Sequence, residues 1–405
     1  MIVFCEECGG KNTIQANQRC ADGSWGRCRI CNNPAHGAAY AETGETSSYT
    51  DPDRKIRVMI VDDSKLIRQA VRRIIEKSHR LEVAGEAQHG AEALDLLPRL
   101  DPDVITLDIN MPVMDGLTTL KHIMIQRPKP TVVFSTLTHE GSREAFRALE
   151  YGAVDVMHKP SRLADMEIDH QHQVMVRKIG LAADVKTEAI QYIRNPDHPQ
   201  GEKMAVLNRS DHIVTIGAAE GGYGGLLKII PRLRPDTGTT FLAVLYAAAN
   251  HVDAFARYLN QLSAIHVERA VEGASLRGGV CHIASENEYV SIDRNGGTPM
   301  LRVHPAPFSE RRGAINMLMF SAAEIFEGRS VGVVLSGNGT DGREGLQEII
   351  RVGGAGMVQD PSTCLYKEMA QAVIENCQGQ EMVKGGRMAE QINMVLDTPR
   401  AAVNQ

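Results

Sequence analysis

The 405-residue sequence contains no run of about 18 or more uncharged apolar residues, the length that a transmembrane helix needs. Its amino terminus has no basic stretch followed by an apolar stretch, so we expect no secretory signal peptide. With a net charge of −6, the chain also lacks the basic field that draws proteins to nucleic acid or anionic membranes. These absences favour a cytoplasmic protein that does not insert into a membrane and does not have nucleic acid as its main partner.

A disulfide framework is also missing. Five of the eight cysteines fall within the first 31 residues, whereas Cys281, Cys364 and Cys377 are scattered far downstream. This distribution fits a reducing compartment better than an oxidising one. We expect Cys281 and Cys364 to be buried as small hydrophobic side chains.

Length and hydrophobic periodicity divide the chain into two or three domains. The predicted segments are a cysteine-rich region (1–35), an aperiodic linker (36–55), a first region of alternating strand and helix patterns (56–162), a polar interdomain linker (163–205) and a second alternating region (206–400). Within the second linker we expect one helix around Val174–Ile193. Alternation of strands and helices predicts an α/β fold with parallel sheets that are covered on both faces.

The first alternating region places polar side chains at the ends of its predicted strands. Asp62 and Asp63 end the first strand, Asp108 the third, Ser135 the fourth and Lys159 the fifth. The carboxyl ends of parallel strands meet at one edge of the sheet. Three carboxylates there suit Mg²⁺, which prefers oxygen ligands, and one of them can attack a phosphoryl group while the metal and a lysine neutralise its oxygens.

This pattern resembles the flavodoxin-like receiver domain of response regulators over all five strands. The resemblance implies phosphorylation by a cognate histidine kinase. It assigns the following roles: Asp108 is the phosphoacceptor; Asp62, Asp63, Asp108 and the backbone carbonyl of Asn110 bind Mg²⁺; Ser135 is the switch hydroxyl; and Lys159 binds the phosphoryl group. One departure is Val156, because the family usually has an aromatic residue three positions before the lysine.

The second alternating region contains three glycine- or proline-bearing stretches that each follow a predicted strand, IGAAEGG (Ile216–Gly222), LSGNGTDGREG (Leu335–Gly345) and VQDPSTCLY (Val358–Tyr366). On these stretches the region resembles the doubly wound methylesterase domain of the CheB family of chemotaxis response regulators. Members of that family hydrolyse glutamyl methyl esters on chemoreceptors with a Ser–His–Asp triad, and many deamidate glutamines. In the family the receiver covers the esterase cleft, and phosphorylation uncovers it.

The residues at the triad positions differ from the family pattern. Ala219 stands where the family has its nucleophilic serine, and Tyr246 stands where it has its histidine. Only the aspartate remains, as Asp341, and Asn338 supplies the backbone N–H that helps to form the oxyanion hole. A phenol with an ordinary pKa of about 10 is a poor base at neutral pH. We therefore expect a catalytically inactive domain that binds a chemoreceptor or another signalling protein.

Two further functions remain open on the sequence. One is an active protein-glutamate methylesterase or glutamine deamidase with a displaced nucleophile, for which Glu220 beside Ala219 is the candidate. The other is a regulator that acts on nucleic acid through its cysteine-rich segment. The acidic net charge and the lack of a helix-turn-helix pattern weigh against the second.

The amino-terminal segment contains two Cys-x-x-Cys pairs with 19 residues between them, and this spacing resembles a zinc ribbon. The predicted Zn²⁺ ligands are Cys5, Cys8, Cys28 and Cys31. The alternative is a redox-active disulfide, against which the two glycines after Cys8 argue. A segment of fewer than about 40 residues depends on its metal for folding energy. We expect the ribbon to dock a protein rather than nucleic acid.

Overall fold

The computed structural model describes residues 2–4, 11–13, 54–135, 143–159, 165–187, 206–207, 210–235, 238–286, 288–294, 299–305 and 313–397. By its internal contacts the chain forms two compact units. The first consists of Met1–Thr136 and Tyr151–Pro199, and the second of Leu137–Glu150 and Gln200–Gln405. None of the helices in these described ranges is long and apolar enough to cross a bilayer.

The first half of the chain is a parallel α/β sheet domain preceded by a short antiparallel pair. Its elements are β1 (Ile2–Phe4), β2 (Lys11–Thr13), β3 (Ile56–Val61), α1 (Lys65–Glu76), β4 (Leu81–Ala87), α2 (Gly90–Leu100), β5 (Val104–Asp108), α3 (Gly116–Gln126), β6 (Thr131–Ser135), α4 (Arg143–Glu150), β7 (Asp155–His158) and α5 (Asp165–Ala183). Strands β3 to β7 form one parallel sheet in the order β4-β3-β5-β6-β7. The predicted five-stranded parallel sheet is confirmed.

Helix α1 shows why this alternation folds as predicted. Ser64 begins the helix, because its hydroxyl accepts a hydrogen bond from the backbone N–H of Ile67. Val71, Ile74 and Ile75 recur at helical spacing and form an apolar stripe that faces the core, where each is almost fully buried. Burying one such side chain contributes about 1.5–3 kcal/mol, so the stripe fixes which face of α1 lies against the sheet.

Helix α5 corrects the predicted boundary of the interdomain linker. We expected a linker from residue 163 with a helix near Val174–Ile193, but the helix runs over Asp165–Ala183 and packs against β5, β6 and α1. Its buried stripe is narrow, with Met175, Ile179 and Ala182 as the fully buried positions. The polar residues between them gave this segment the composition of a linker, although its apolar positions follow helical spacing.

The second half of the chain forms a seven-stranded parallel sheet and a separate hairpin. Its elements are β8 (His212–Ala218), α6 (Gly222–Ile229), β9 (Thr239–Leu245), α7 (Ala249–Leu262), β10 (His266–Arg269), β11 (Val280–Ala284), β12 (Glu288–Asp293), β13 (Met300–Pro305), α8 (Ala314–Phe326), β14 (Ser330–Val334), α9 (Arg343–Arg351), β15 (Ala355–Gln359), α10 (Glu368–Asn376), β16 (Gln380–Val383) and α11 (Met388–Asp397). The sheet order is β10-β11-β9-β8-β14-β15-β16, and β12 pairs with β13 antiparallel.

This strand order places the functional edge of the second sheet. From β8 the chain adds β9, β10 and β11 on one side of the sheet, and it later adds β14, β15 and β16 on the other side. The order therefore reverses at β8 and β14, which are paired. Ligand sites in open parallel sheets lie outside the carboxyl ends of the strands at such a reversal. Every residue of β9 and of β14 is buried, as expected for strands covered on both faces.

One buried histidine in this sheet makes the stability of the second unit dependent on pH. Both ring nitrogens of His282 in β11 lack a hydrogen-bond partner among the described residues, although its Nδ1 lies 3.3 Å from Oε1 of Glu268. Burial, reinforced by Arg277, lowers the pKa of His282 to about 4. An unfolded histidine has a pKa of about 6.5, so acid protonates the unfolded chain first. We expect the free energy of unfolding to fall by about 2 kcal/mol between pH 7 and pH 5 from this group.

His282→Leu is expected to remove this contribution, because leucine has no ionisable group and fills a similar volume. Calorimetric unfolding of the full chain at about pH 7 and about pH 5 measures the difference. His304→Leu is the matched control, since His304 is exposed on β13 and should leave the pH dependence as it is. An unchanged acid dependence in His282→Leu would contradict the prediction.

Candidate functional sites

The first unit brings three carboxylates together at the carboxyl edge of its sheet. Carboxylate oxygens of Asp62, Asp63 and Asp108 all lie within 4.8 Å of one another. Asp62 and Asp108 are buried, and Asp63 is exposed. The Lys159 ammonium lies 2.8 Å from Oδ2 of Asp62 and 2.8 Å from Oδ2 of Asp108. The four residues that the sequence placed at three different strand ends therefore form one cluster.

The charges in this cluster are only partly balanced. Burial raises the pKa of Asp108, and Lys159 opposes that effect without cancelling it. Burial alone would lower the pKa of Lys159, but its bonds to Asp108 and Asp62 outweigh burial and raise it. Among the described residues the Lys159 ammonium is the only donor near the two buried Oδ2 atoms. The possible ligand atoms of this cluster are all carboxylate oxygens, and the two Oδ2 atoms can accept further bonds. Such a set suits a hard divalent cation such as Mg²⁺.

Two residues that sequence reasoning missed hold the loop after β3. The Arg68 guanidinium donates to the backbone carbonyls of Asp62 and Asp63, at 2.9 and 3.2 Å. Glu86 at the end of β4 accepts from Arg68 at 3.2 Å and so fixes the guanidinium in place. Because both carbonyls accept hydrogen bonds from the Arg68 guanidinium, the backbone of Asp62 and Asp63 is fixed. The orientation of their side chains is therefore restricted as well.

A glycine after the third strand permits close packing beside the phosphoacceptor position. A Cβ atom on Gly116 would lie 1.9 Å from the backbone oxygen of Asp108, a distance that real structures do not allow. The Gly116 N–H instead donates to the Ile109 carbonyl at 2.8 Å, and Asp115 caps α3 through the Thr118 N–H. The loop after β5 therefore turns sharply back toward the acidic cluster.

The remaining predicted receiver residues are placed as follows. Ser135 is the last residue of β6 and pairs in register with His158. Asn110 lies two residues after the end of β5 and is exposed. Val156 lies in β7 and is partly buried. The roles that the receiver resemblance gives to Ser135, to the Asn110 carbonyl, and to the acidic cluster with its lysine all stay predictions.

The second unit places all three triad positions at the carboxyl edge of its sheet. Ala219 follows β8, Tyr246 follows β9, and Asp341 lies between β14 and α9. The Tyr246 N–H donates to the Ala218 carbonyl at 2.9 Å, which fixes the end of β9 beside the end of β8. The phenol of Tyr246 donates to Oδ2 of Asp341. Tyrosine thus makes the bond to the aspartate that a histidine base makes in a triad.

Neither substituted position carries the side chain that the family's mechanism uses there. Ala219 is 1% exposed and belongs to the hydrophobic core cluster. Burial, followed by the charge of Asp341, raises the pKa of Tyr246 far above its ordinary value. The phenol therefore remains a hydrogen-bond donor at neutral pH and cannot accept a proton from a nucleophile.

Asp341 accepts three backbone hydrogen bonds in addition to the one from Tyr246. The N–H groups of Ile315 and Asn316 donate to it at 3.0 Å each, and that of Gly342 at 2.9 Å. Ile315 and Asn316 lie in the first turn of α8, whose own cap residue offers no side chain. Asp341 therefore caps α8 from a distant part of the chain.

The cysteines of the second unit are structural. Cys281, Cys364 and Cys377 are free thiols and buried, which confirms the expectation for the first two. Burial raises the pKa of all three thiols, that of Cys364 to about 12. They are therefore protonated and unreactive at neutral pH. The four predicted zinc ligands lie outside the described residues, so the zinc ribbon stays a prediction.

Together, the two sheets and their strand-end clusters define a response regulator with an esterase-like effector domain. The family model described as "Response regulator receiver domain" matches residues 58–169. The model described as "CheB methylesterase" matches residues 214–392. The order of the two domains is the one that the sequence predicted.

Full-length relatives give the same assignment. A protein-glutamate methylesterase/protein-glutamine glutaminase of Pyrococcus abyssi is 35% identical over 325 residues, covering 80% of this chain and 88% of the relative. The protein of that name from Pyrococcus horikoshii matches with the same identity and coverage. One from Halalkalibacterium halodurans is 31% identical over 332 residues, covering 80% and 93%. The chain belongs to the CheB family of protein-glutamate methylesterase/protein-glutamine glutaminases.

Proposed function

We propose that this chain is a phosphorylation-controlled member of the CheB family whose effector domain binds a chemoreceptor or another signalling protein without hydrolysing it. The observation that carries the proposal is the hydrogen bond from Tyr246 to Asp341 beside Ala219. A nucleophilic serine needs a neighbouring base, and that base needs an orienting carboxylate. Here the carboxylate is engaged by a phenol, and the nucleophile position has no hydroxyl.

The expected loss of rate is large. Removing a single triad member costs about 10⁴–10⁶-fold in turnover, because the remaining members act only as a unit. With both the nucleophile and the base replaced, only the weak acceleration from binding and oxyanion contacts remains. That residual acceleration is about 10³–10⁴-fold over water, too little for a signalling enzyme.

The receiver supplies the control in this proposal. Asp108 accepts a phosphoryl group from a histidine kinase, with Mg²⁺ held by Asp62, Asp63, Asp108 and the Asn110 carbonyl. Lys159 neutralises the phosphoryl oxygens, and Ser135 binds one of them as the switch hydroxyl. Phosphorylation then changes the affinity of the effector domain for its partner. Equal affinity of the phosphorylated protein and an Asp108→Asn chain would argue against this control.

The cysteine-rich amino terminus adds a second docking element. We propose that Cys5, Cys8, Cys28 and Cys31 bind one Zn²⁺ ion in a closed tetrahedral site. Four thiolates leave no open coordination position, so such a metal would stabilise a fold and would not catalyse a reaction. Its expected partner is a protein.

One observation favours an active enzyme as the second candidate. The relatives are named as methylesterases and glutaminases, and this chain matches them over most of their length. An active form of this chain would need another nucleophile, and Glu220 is the carboxylate next to Ala219. It would also need a base, which neither Tyr246 nor Asp341 supplies in the geometry described above.

Methanol release from methylated chemoreceptor membranes distinguishes the two candidates. We expect no release by the purified chain above the rate of buffer alone, with or without a small-molecule phosphodonor and Mg²⁺, because the triad positions hold neither a base nor a hydroxyl nucleophile. An active CheB-family enzyme in the same assay shows that the membranes are competent. Phosphodonor-stimulated release by the natural chain would instead support the active enzyme, and loss of that release in Glu220→Gln would identify the nucleophile.

A further inference from the structure

The backbone N–H that the family resemblance assigns to the oxyanion hole already has a partner in this chain. Asn338 donates from its backbone nitrogen to Oε2 of Glu220 at 3.3 Å. In the family's Gly-Ala-Ser-Thr-Gly-Gly motif, the position of Glu220 is a threonine, which has no carboxylate. A negatively charged oxygen therefore lies where the family's reaction would develop one.

The backbone around Glu220 is held firmly. Ser336 donates from its hydroxyl to the Glu220 carbonyl at 2.8 Å, and the Ala219 N–H donates to the Ser336 carbonyl at 3.0 Å. Gly221 then turns the chain with φ = 78°, a left-handed conformation that glycine adopts without strain. The loops after β8 and β14 are thereby tied to each other, with the Glu220 side chain directed at the start of the second loop.

The two loops also pack closely below this contact. A Cβ atom on Gly337 would lie 2.6 Å from the Cβ of Ala219 and 2.2 Å from Sδ of Met369, so only glycine fits there. The Asn338 N–H follows directly after this packed position, and its direction is set by the rigid backbone. The bond from the Asn338 N–H to the half-buried Glu220 carboxylate is a charge-assisted hydrogen bond. Such bonds are roughly twice as strong as neutral ones.

We infer that Glu220 is a specificity-determining residue that fills the oxyanion position of the cleft with the chain's own carboxylate. A tetrahedral intermediate of ester hydrolysis would place a second negative oxygen against that carboxylate and would have to displace it from the Asn338 N–H. The cleft therefore excludes ester chemistry at a third position, independently of Ala219 and Tyr246. This inference rests on the proposed function, and it predicts that restoring the serine and the histidine alone is insufficient to restore the reaction.

The test restores the missing dyad and then varies Glu220. In an Ala219→Ser/Tyr246→His background, a fluorophosphonate probe reports on the oxyanion hole. The introduced serine oxygen bonds to phosphorus as the P–F bond breaks, fluoride leaves, and the hydroxyl proton passes to the introduced histidine. Intact-mass spectrometry of the full chain measures the labelling rate.

Adding Glu220→Thr is expected to raise that rate by about 10²-fold or more, the usual worth of one oxyanion-hole donor. Glu220→Gln should give a smaller increase, because a neutral amide oxygen still accepts from the Asn338 N–H. Glu375→Thr is the matched control, since Glu375 is exposed on α10 and should leave the rate unchanged. Equal labelling with Glu220 and with threonine would overturn the inference.

A second measurement needs no introduced nucleophile. Glu220→Thr in the otherwise natural chain should increase amide hydrogen exchange at Asn338 by about 10-fold, as expected for the loss of about 1.4 kcal/mol of protection. Unchanged exchange at Asn338 would overturn the inference even if the labelling variants failed to fold. Methanol release by the natural chain would instead contradict the proposed function, so the two failures are distinguishable.

Discussion

An Asp108→Asn chain is expected to take up no phosphoryl group, whereas the natural chain takes up one per molecule from acetyl phosphate with Mg²⁺. The Asp108 oxygen bonds to phosphorus as acetate leaves, and an uncharged amide cannot perform this attack. Asp108 is buried, and its Oδ2 lies 2.8 Å from the Lys159 ammonium, which can neutralise the incoming phosphoryl oxygens. Intact-mass spectrometry of the trapped product measures the uptake.

The control for this substitution is Asp115→Asn in the same strand-end loop region. Asp115 accepts from the Thr118 N–H and caps α3, and asparagine caps a helix about as well as aspartate does. This variant should therefore be phosphorylated normally. Chelation of Mg²⁺ should abolish uptake in the natural chain, because two buried carboxylates and an incoming phosphoryl group would repel one another without the metal. Full uptake by Asp108→Asn would refute the assignment of the phosphoacceptor.

The receiver cluster was predictable from sequence because its residues end strands. The carboxyl ends of parallel strands meet at one edge of the sheet, so three strand assignments are enough to bring Asp62 and Asp63, Asp108, and Lys159 together. Arg68 was not predictable in the same way. Its place is within a helix, where an arginine is ordinarily a solvated side chain, and its bonds to the Asp62 and Asp63 carbonyls depend on how the loop after β3 turns.

The second cleft was predictable in position but not in its bonding. Motif comparison placed Ala219, Tyr246 and Asp341 in one cleft, and strand register brings them to the same sheet edge. No local pattern indicated that Asp341 binds the first turn of α8, because its partners Ile315 and Asn316 lie 26 and 25 positions away in the chain. Such long-range capping depends on the packing of α8, which local patterns do not encode.

The bonding of Asp341 gives this residue a task that does not depend on catalysis. Four donors converge on its carboxylate, which is 9% exposed, and two of them are first-turn amides of α8. The positive end of the helix dipole favours a negative group at that point. The fold therefore requires the aspartate whether or not the cleft is active, because removing it would leave buried amides without an acceptor.

We expect Asp341→Ala to lower the free energy of unfolding of the second unit by about 3–5 kcal/mol. Each buried donor left without an acceptor costs about 1–3 kcal/mol, and Ile315, Asn316 and Gly342 all lose theirs. Tyr246→Phe removes only one donor and leaves the three amide bonds in place, so it should cost about 1 kcal/mol. Urea unfolding measures both, and hydrogen exchange at the first turn of α8 should rise only in Asp341→Ala.

Asp253→Ala is the matched control for this experiment. Asp253 forms an ion pair with Arg269 at 2.8 Å in the same unit, but its side chain is 44% exposed. Exposed pairs contribute about 0.2–1 kcal/mol, so this variant should stay close to the natural chain. A similarly small effect of Asp341→Ala would mean that water replaces the carboxylate at the α8 amides and that the residue has no structural task. A large effect that Tyr246→Phe does not share would assign the stabilisation to the helix cap and not to the remnant of the triad.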